Sequence, residues 1–256
     1  MVIIDKERCI GCGACVPDCV SKHIRLEDGK AVKTGESILC GHCFAVCPTG
    51  AVSIPEYDAP AGEPGFPITI EDLLTTIRSR RSIRYYQPRQ VEREKFEAIL
   101  EAGRYTATGS NRQDCTFVVV QQELETFKRI LWSWIEDTLS SEDPAPAEHL
   151  RDFLDRIRRD PKDDFLFRNA PAVLVVAARS QVDAGLAAQD MELAAVCQGL
   201  GVMYNGYLAG AISACAAARE WLGIGEKPAA LSMLVGYPDV RYRRIAPRRA
   251  VDAVWR

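Results

Sequence analysis

Seven of the ten cysteines fall within the first 47 residues, and their spacing limits what this chain can fold into more than any other feature does. Cys9, Cys12, Cys15 and Cys19 stand as C-x2-C-x2-C-x3-C, and Cys40, Cys43 and Cys47 follow as C-x2-C-x3-C, with Pro48 directly after. In a small secreted protein that density would signal disulfides. This chain opens MVIIDKERC, without a basic segment running into an apolar one, so no signal peptide and a cytoplasmic setting are expected. Closely spaced thiols in that setting point to metal.

Short loops let three thiolates and their flanking amides wrap one corner of an iron–sulfur cubane, while the fourth cysteine of each run reaches across to the other cluster. By that rule one cluster takes Cys9, Cys12, Cys15 and Cys47. A second takes Cys19, Cys40 and Cys43, together with whatever occupies position 37, which is Ser37. The serine leaves three outcomes open: an alkoxide ligand, a three-iron cluster, or a labile one. Oxygen is harder than thiolate and would shift the potential. Zinc is the competing assignment, but zinc favours two separated C-x2-C pairs, which this pattern matches poorly. His42, between two ligands, either hydrogen-bonds near a cluster or faces solvent.

Over residues 1–55 these runs resemble the bacterial-type dicluster ferredoxins, with two departures: Ser37 where that pattern has cysteine, and Val20 where proline usually follows the first run. The resemblance implies a pseudo-twofold module with a short hairpin and a helical turn in each half. Ile3-Ile4, Ile24–Leu26, Ala31-Val32 and Val52–Ile54 are the expected strands.

The rest of the chain has an ordinary globular balance, and a net charge of −3 gives no reason to expect a nucleic-acid or anionic-membrane binder. Its longest apolar runs, Ala170–Ala178 and Leu208–Ala218, fall far short of a membrane span. Residues 56–68 are rich in proline and glycine and read as a linker to a second domain over 69–256. Thr69-x-x-Asp72 opens an apolar-periodic helix carrying Ile70, Leu73, Leu74 and Ile77. A helix over 92–102 is expected to stop at Gly103, and one or two helices should lie between Glu123 and Arg159, broken at Asp143–Pro146. Further helices are expected over Gln189–Leu200, ending at Gly201, and over Leu208–Ala218. Strands are expected at Thr116–Gln121, Ala172–Ala178 and Leu231–Val235. Together these predict an α+β layered domain around a mixed or antiparallel sheet. Cys115, Cys197 and Cys215 read as small buried hydrophobes. His23 and His149 have no partner pattern and are assigned nothing.

In Arg80-Arg81-Ser82-Ile83-Arg84, an extended backbone would point Arg80, Ser82 and Arg84 the same way. Guanidinium forks suit phosphate, and a serine hydroxyl adds a short donor. A second basic set lies in Arg241–Arg244 and Arg248-Arg249. Two arginine clusters so placed would serve a phosphate, or else form a solvated basic surface.

The blocks RRSIRYY, TATGSNRQ, ELAAVCQGLGVMYNGYL and GYPDVRYRRIAPRR, in that order, resemble the nitroreductase family of FMN enzymes over residues 69–256. With the first module, the chain resembles the members that carry a ferredoxin extension. The resemblance implies FMN, with Arg80, Arg81, Ser82 and Arg84 on its phosphate and ribityl end and Arg248, with Arg244, completing the phosphate pocket. It further implies Asn111 and Gln113 on the ring or ribityl, Asn205-Gly206 amides near flavin N5 and O4, and a homodimer with each FMN at the subunit interface. The residues before Asn111, Ala107-Thr108-Gly109, depart from the family's usual Ala-Pro-Ser, and Asn169 replaces a common glycine; both bear on substrate preference.

The expected activity is a reductase. Electrons enter through the clusters, reduce FMN, and leave to an electron-poor small molecule such as a nitroaromatic, quinone, enone or halogenated aromatic. A ferredoxin-like protein or NAD(P)H is the expected donor; no G-x-G-x-x-G loop marks a separate nicotinamide site. The alternatives are a dehydrogenase that drains electrons outward through the clusters, and an electron carrier or redox sensor. No side chain stands out as a general acid or base.

Overall fold

The structure is a computed structural model that describes residues 1–58, 62, 65 and 67–256. Part of the segment read as a linker, residues 59–61, 63, 64 and 66, therefore lies outside the described residues. The chain divides into two compact units, Met1–Phe66 with Thr108–Gln113, and Pro67–Ala107 with Asp114–Arg256.

In the first unit, β1 (Ile3–Ile4), β2 (Ile24–Glu27), β3 (Lys30–Lys33), α1 (His42–Ala45) and β4 (Val52–Ser53) follow in order. β1 pairs antiparallel with β4, and β2 with β3. The second hairpin turns at Asp28-Gly29, both with positive φ (48° and 72°), the sequence such a tight turn favours. Val2, Ile24, Ala31, Ala51, Val52 and Ile54 form a small core with Cys9, Cys15 and Cys43. The helical turn expected in each half forms in the second half alone. There the Ala45 N–H donates to Gly41 O at 2.9 Å. The matching position in the first half is Pro17, which has no N–H to give, and the chain makes turns instead.

In the second unit, α2 (Ile70–Ser79) and α3 (Arg93–Arg104) precede β5 (Thr116–Val120), and α4 (Leu124–Leu139) and α5 (Arg151–Arg159) precede β6 (Ala172–Ala177). Then come α6 (Gln181–Cys197), β7 (Gly201–Tyr204), α7 (Gly206–Ala214), α8 (Ala216–Trp221) and β8 (Ala229–Gly236). The four strands form one antiparallel sheet in the order β5-β6-β8-β7. Alternation along β6 covers both faces. Val173, Val175 and Ala177 pack with Phe127, Leu131, Ile135 and Phe167, whereas Leu174 and Val176 pack with Phe96, Ile99, Ala188 and Met191. The result is a sheet between two helical layers, with α3 and α6 on one side and α4, α7 and α8 on the other.

Thr69 caps α2 through a capping box with Asp72, as the sequence predicts. Its apolar stripe, however, is only partly covered: Leu73 and Leu74 are half-buried, whereas Ile70 and Ile77 are exposed. Four expectations are corrected. α6 begins at Gln181, where the Ser180 hydroxyl caps it by accepting the Asp183 N–H at 3.1 Å, and is longer than its alanine-rich half suggested. Gly201 does not end that helix; Gly199, at φ 77°, lies between the helix and β7. Gly103 sits inside α3 because a Cβ there would come within 2.7 Å of Met191 Sδ. The stretch 208–218 is two helices broken at Cys215, whose Sγ accepts the Ala218 N–H at 3.3 Å. Of the three outlying cysteines, Cys215 is buried, Cys115 is half-buried and Cys197 is exposed. No described helix is long and apolar enough to cross a membrane.

Gly201 has a specific task. A Cβ there would stand 2.4 Å from Ile83 Cγ1 and 2.8 Å from Ile83 Cβ. Ile83 is β-branched and buried, so it cannot rotate away cheaply. Gly201→Ala is expected to lower unfolding free energy by about 1–3 kcal/mol, the cost of overpacking a well-filled core, as a shift in urea midpoint would show.

Candidate cofactor sites

Two cavities in the first unit collect the cysteines into the sets drawn from their spacing. One, of about 340 Å³, is lined by Cys9, Cys12, Cys15 and Cys47. The other, of about 410 Å³, is lined by Cys19, Cys40 and Cys43 together with Ser37, His23 and His42. Backbone donors surround the first set: Ala31 N–H meets Cys9 Sγ at 3.4 Å, and Ala51 N–H meets Cys47 Sγ at 3.2 Å. Amides of Ala31 and Gly11 hold the Cys9 thiol below its ordinary pKa. Burial pushes Cys47 up, but donors from Thr49, Ala51 and Val52 outweigh it and leave that thiol lowered too. Burial raises Cys15 and Cys43.

Among the described residues no three Cys, His, Asp or Glu side chains converge on one point as the ligands of a single ion would. Thiolates of a cubane bind different irons and have no need to converge on one point. In the second cavity Ser37 Oγ accepts the Leu39 N–H at 3.1 Å. His42 is mostly exposed, and its Nδ1 lies 3.3 Å from Asp18 Oδ1.

In the second unit the segment after α2 runs extended, as its alternation requires. Ser82 bridges Val202 of β7, and the Ile83 N–H donates to Val202 O at 3.0 Å. Arg80 Nε donates to Glu192 Oε1 at 2.8 Å; that carboxylate, on α6, is 1% exposed. Tyr204 closes the group, its hydroxyl donating to Ala188 O at 2.9 Å and its phenol pushed up by burial and then by Glu192. Arg81 donates to the carbonyls of Arg78 and Arg80. At the end of β7, Asn205 caps α7, its Oδ1 accepting the Leu208 N–H at 3.0 Å, and a Cβ on Gly206 would meet nothing within 4 Å. The first amides of α7 thus stand at an open, positively polarised helix end.

Sequence reasoning missed Glu192 and Arg168. Arg168 lies after a turn fixed by buried Asp164, which accepts the Phe167 N–H at 2.9 Å and pairs with Lys128 at 3.0 Å. Burial, then Arg84 and Arg156 nearby, depress the Arg168 guanidinium, and its buried Nε has no hydrogen-bond partner among the described residues. A desolvated guanidinium held beside other arginines fits an anionic group such as a phosphate or a reduced flavin ring.

Arg244 and Arg248 are exposed in the irregular C-terminal segment, where Arg248 donates to the adjacent Pro247 carbonyl. Asn111 and Gln113 belong to the first unit. Asn111 Nδ2 donates to Ile38 O at 2.9 Å and Leu39 O at 3.0 Å, while the Gln113 N–H donates to Thr108 Oγ1 at 3.0 Å.

Because Arg80 is the cation that pairs with the buried Glu192 carboxylate, Arg80→Ala is expected to cost about 1–3 kcal/mol of stability, and Arg81→Ala less than about 0.5 kcal/mol. Urea denaturation of the two variants side by side checks this.

The sequence matches the nitroreductase family over residues 77–237 and the 4Fe-4S dicluster domain over residues 8–52. A protein of Archaeoglobus fulgidus, provisionally described as an NADH dehydrogenase/NAD(P)H nitroreductase, is 27% identical over 180 residues, 66% of this chain and 87% of its own length. Among solved structures, a nitroreductase with bound FMN from Bacteroides fragilis aligns with a TM-score of 0.60 at 22% identity, covering 72% of this chain and 99% of that one. One from Desulfitobacterium hafniense, also with bound FMN, gives 0.56 at 23% identity, covering 73% and 100%. With a family match spanning more than half of its residues and a fold to go with it, this chain is a member of the nitroreductase family of oxidoreductases carrying an N-terminal 4Fe-4S dicluster domain.

Proposed function

We propose that this oxidoreductase binds FMN and passes electrons from its iron–sulfur clusters through the flavin to an electron-poor small molecule: a nitroaromatic, quinone, enone or halogenated aromatic. The observation that carries this reading is the presence, in one chain, of two cysteine-lined cavities and a nitroreductase-family unit. Clusters exchange single electrons, and a flavin collects them and delivers two. The FMN-bound Bacteroides and Desulfitobacterium structures support the cofactor.

The chain's own residues supply binding and electrostatics. Arg80, Arg81, Ser82 and Arg84 would take the phosphate and ribityl end, with Arg80 aimed by Glu192 and the whole segment pinned to β7. Arg244 and Arg248 would add charge to that phosphate. Gly206, free of a Cβ, would let α7 present its first amides to the ring at N5 and O4. Asn111 has given both amide hydrogens to the turn at 38–39, so it would meet a flavin through Oδ1, with Gln113 beside it in sequence. Arg168 and Arg84 would stabilise negative charge on the cofactor. A homodimer is proposed because α2 leaves Ile70 and Ile77 exposed, as a helix awaiting a second copy would. The donor is a ferredoxin-like protein or NAD(P)H; the Mycobacterium smegmatis nitroreductase, which aligns with a TM-score of 0.52, was solved with NADPH.

Two measurements test this reading. Protein purified without oxygen should release one FMN and about seven or eight irons per chain. Once reduced, it should be reoxidised rapidly by a quinone or nitro compound with no protein partner present. Iron without flavin, or indifference to every small acceptor alongside fast exchange with a ferredoxin, would leave an electron carrier instead. Arg168→Met should weaken FMN binding about 10- to 100-fold, the worth of one charge-assisted contact, as fluorescence titration of flavin-free protein would show.

A further inference from the structure

The two halves of the first unit repeat in register: positions 9, 12, 15 and 19 answer to 37, 40, 43 and 47, so Ser37 stands where the first half has Cys9. The same register pairs position 23 with 51, each four residues beyond the last cysteine of its run. Ala51 lines the cavity of the complete thiolate set. At the matching place beside the incomplete set stands His23, which lines the cavity of Cys19, Cys40, Cys43 and Ser37. One cavity therefore lacks a thiolate that the other has, and holds an imidazole contributed by the opposite half of the repeat.

The imidazole is seated rather than loose. Its Nδ1 hydrogen-bonds the carbonyl oxygen of Glu36, the residue before Ser37. A carbonyl can only accept, so Nδ1 carries a proton, and in the neutral imidazole that tautomer leaves the lone pair on Nε2. A backbone carbonyl behind a histidine is how proteins fix the tautomer and ring orientation of a metal ligand. Gly35 makes room for the ring, since a Cβ there would fall 2.8 Å from both Cγ and Nδ1 of His23. The rival donor, the Ser37 hydroxyl, is protonated at neutral pH and already accepts the Leu39 N–H at 3.1 Å. A neutral imidazole needs no deprotonation and suits iron well.

We propose that His23, through Nε2, is the fourth protein ligand of the second cluster, in place of the thiolate missing at position 37. This rests on the reading that two clusters assemble. It makes that cluster distinct from the all-cysteine one.

Pulsed EPR on the anaerobically reduced full-length protein tests the assignment. A strongly coupled nitrogen is expected, changing from 14N to 15N character when histidine alone is labelled. It should vanish in His23→Ala and persist in Ser37→Ala and in His42→Ala, the other histidine at that cavity. About eight irons per chain with no strongly coupled nitrogen would overturn the ligand while leaving the two-cluster reading intact. A nitrogen lost in His42→Ala instead of His23→Ala would overturn it as well. About four irons per chain would remove the second cluster and this ligand together.

Discussion

The second unit turns on the hydrogen bonds gathered at Asn205. This asparagine is almost wholly buried, and a buried amide must satisfy each of its polar groups. Its backbone N–H donates to Ser232 O at 2.9 Å, and its carbonyl accepts from the Ser232 hydroxyl at 2.8 Å, which ties the end of β7 to β8. Its side-chain Oδ1 caps α7, and its Nδ2 donates to Leu166 O at 2.6 Å, in the turn that delivers Arg168. One side chain thus sets the direction of the α7 amides and the place of the Arg168 guanidinium. The arginine segment of 80–84 depends on the same strand, since it is bridged to β7 two residues earlier in sequence than Tyr204.

The first unit follows a different logic. Its core is small, and several of its buried side chains are cysteines, so much of what holds it together is what those cysteines bind. The N–H groups aimed at Cys9 and Cys47 serve the thiolate form. The repeat is not exact. Pro17 removes a helical turn from the first half, and Ser37 from one half with His23 from the other sets the second cavity apart from the first.

The cysteine sets were legible because their ligation rule is local and rigid, and the capped helix at Thr69 was legible because its signal lies within four residues. The buried strands showed as apolar runs. What escaped has a common cause. The Arg80–Glu192 pair joins residues 112 apart, and nothing near either one announces the other. β7 is four residues between a helix-ending glycine and a capping asparagine, too short for alternation to show. Gly103 and Gly201 resembled stop signals, but what requires glycine there is the approach of Met191 and Ile83 from elsewhere in the fold. Asn111 was read from a motif that concerns a cofactor, and nothing in that motif announces the two carbonyls beside Cys40 to which its Nδ2 also donates.

That last contact bears on how the chain could be taken apart. The cluster-bearing unit consists of Met1–Phe66 and the distant segment Thr108–Gln113. Cutting the gene at the proline-rich stretch would yield a fragment whose turn at 38–39 has lost both hydrogen bonds from Asn111. The module is encoded discontinuously, so domain shuffling that moved residues 1–66 alone into a new context would carry the cysteines but not the loop that braces them.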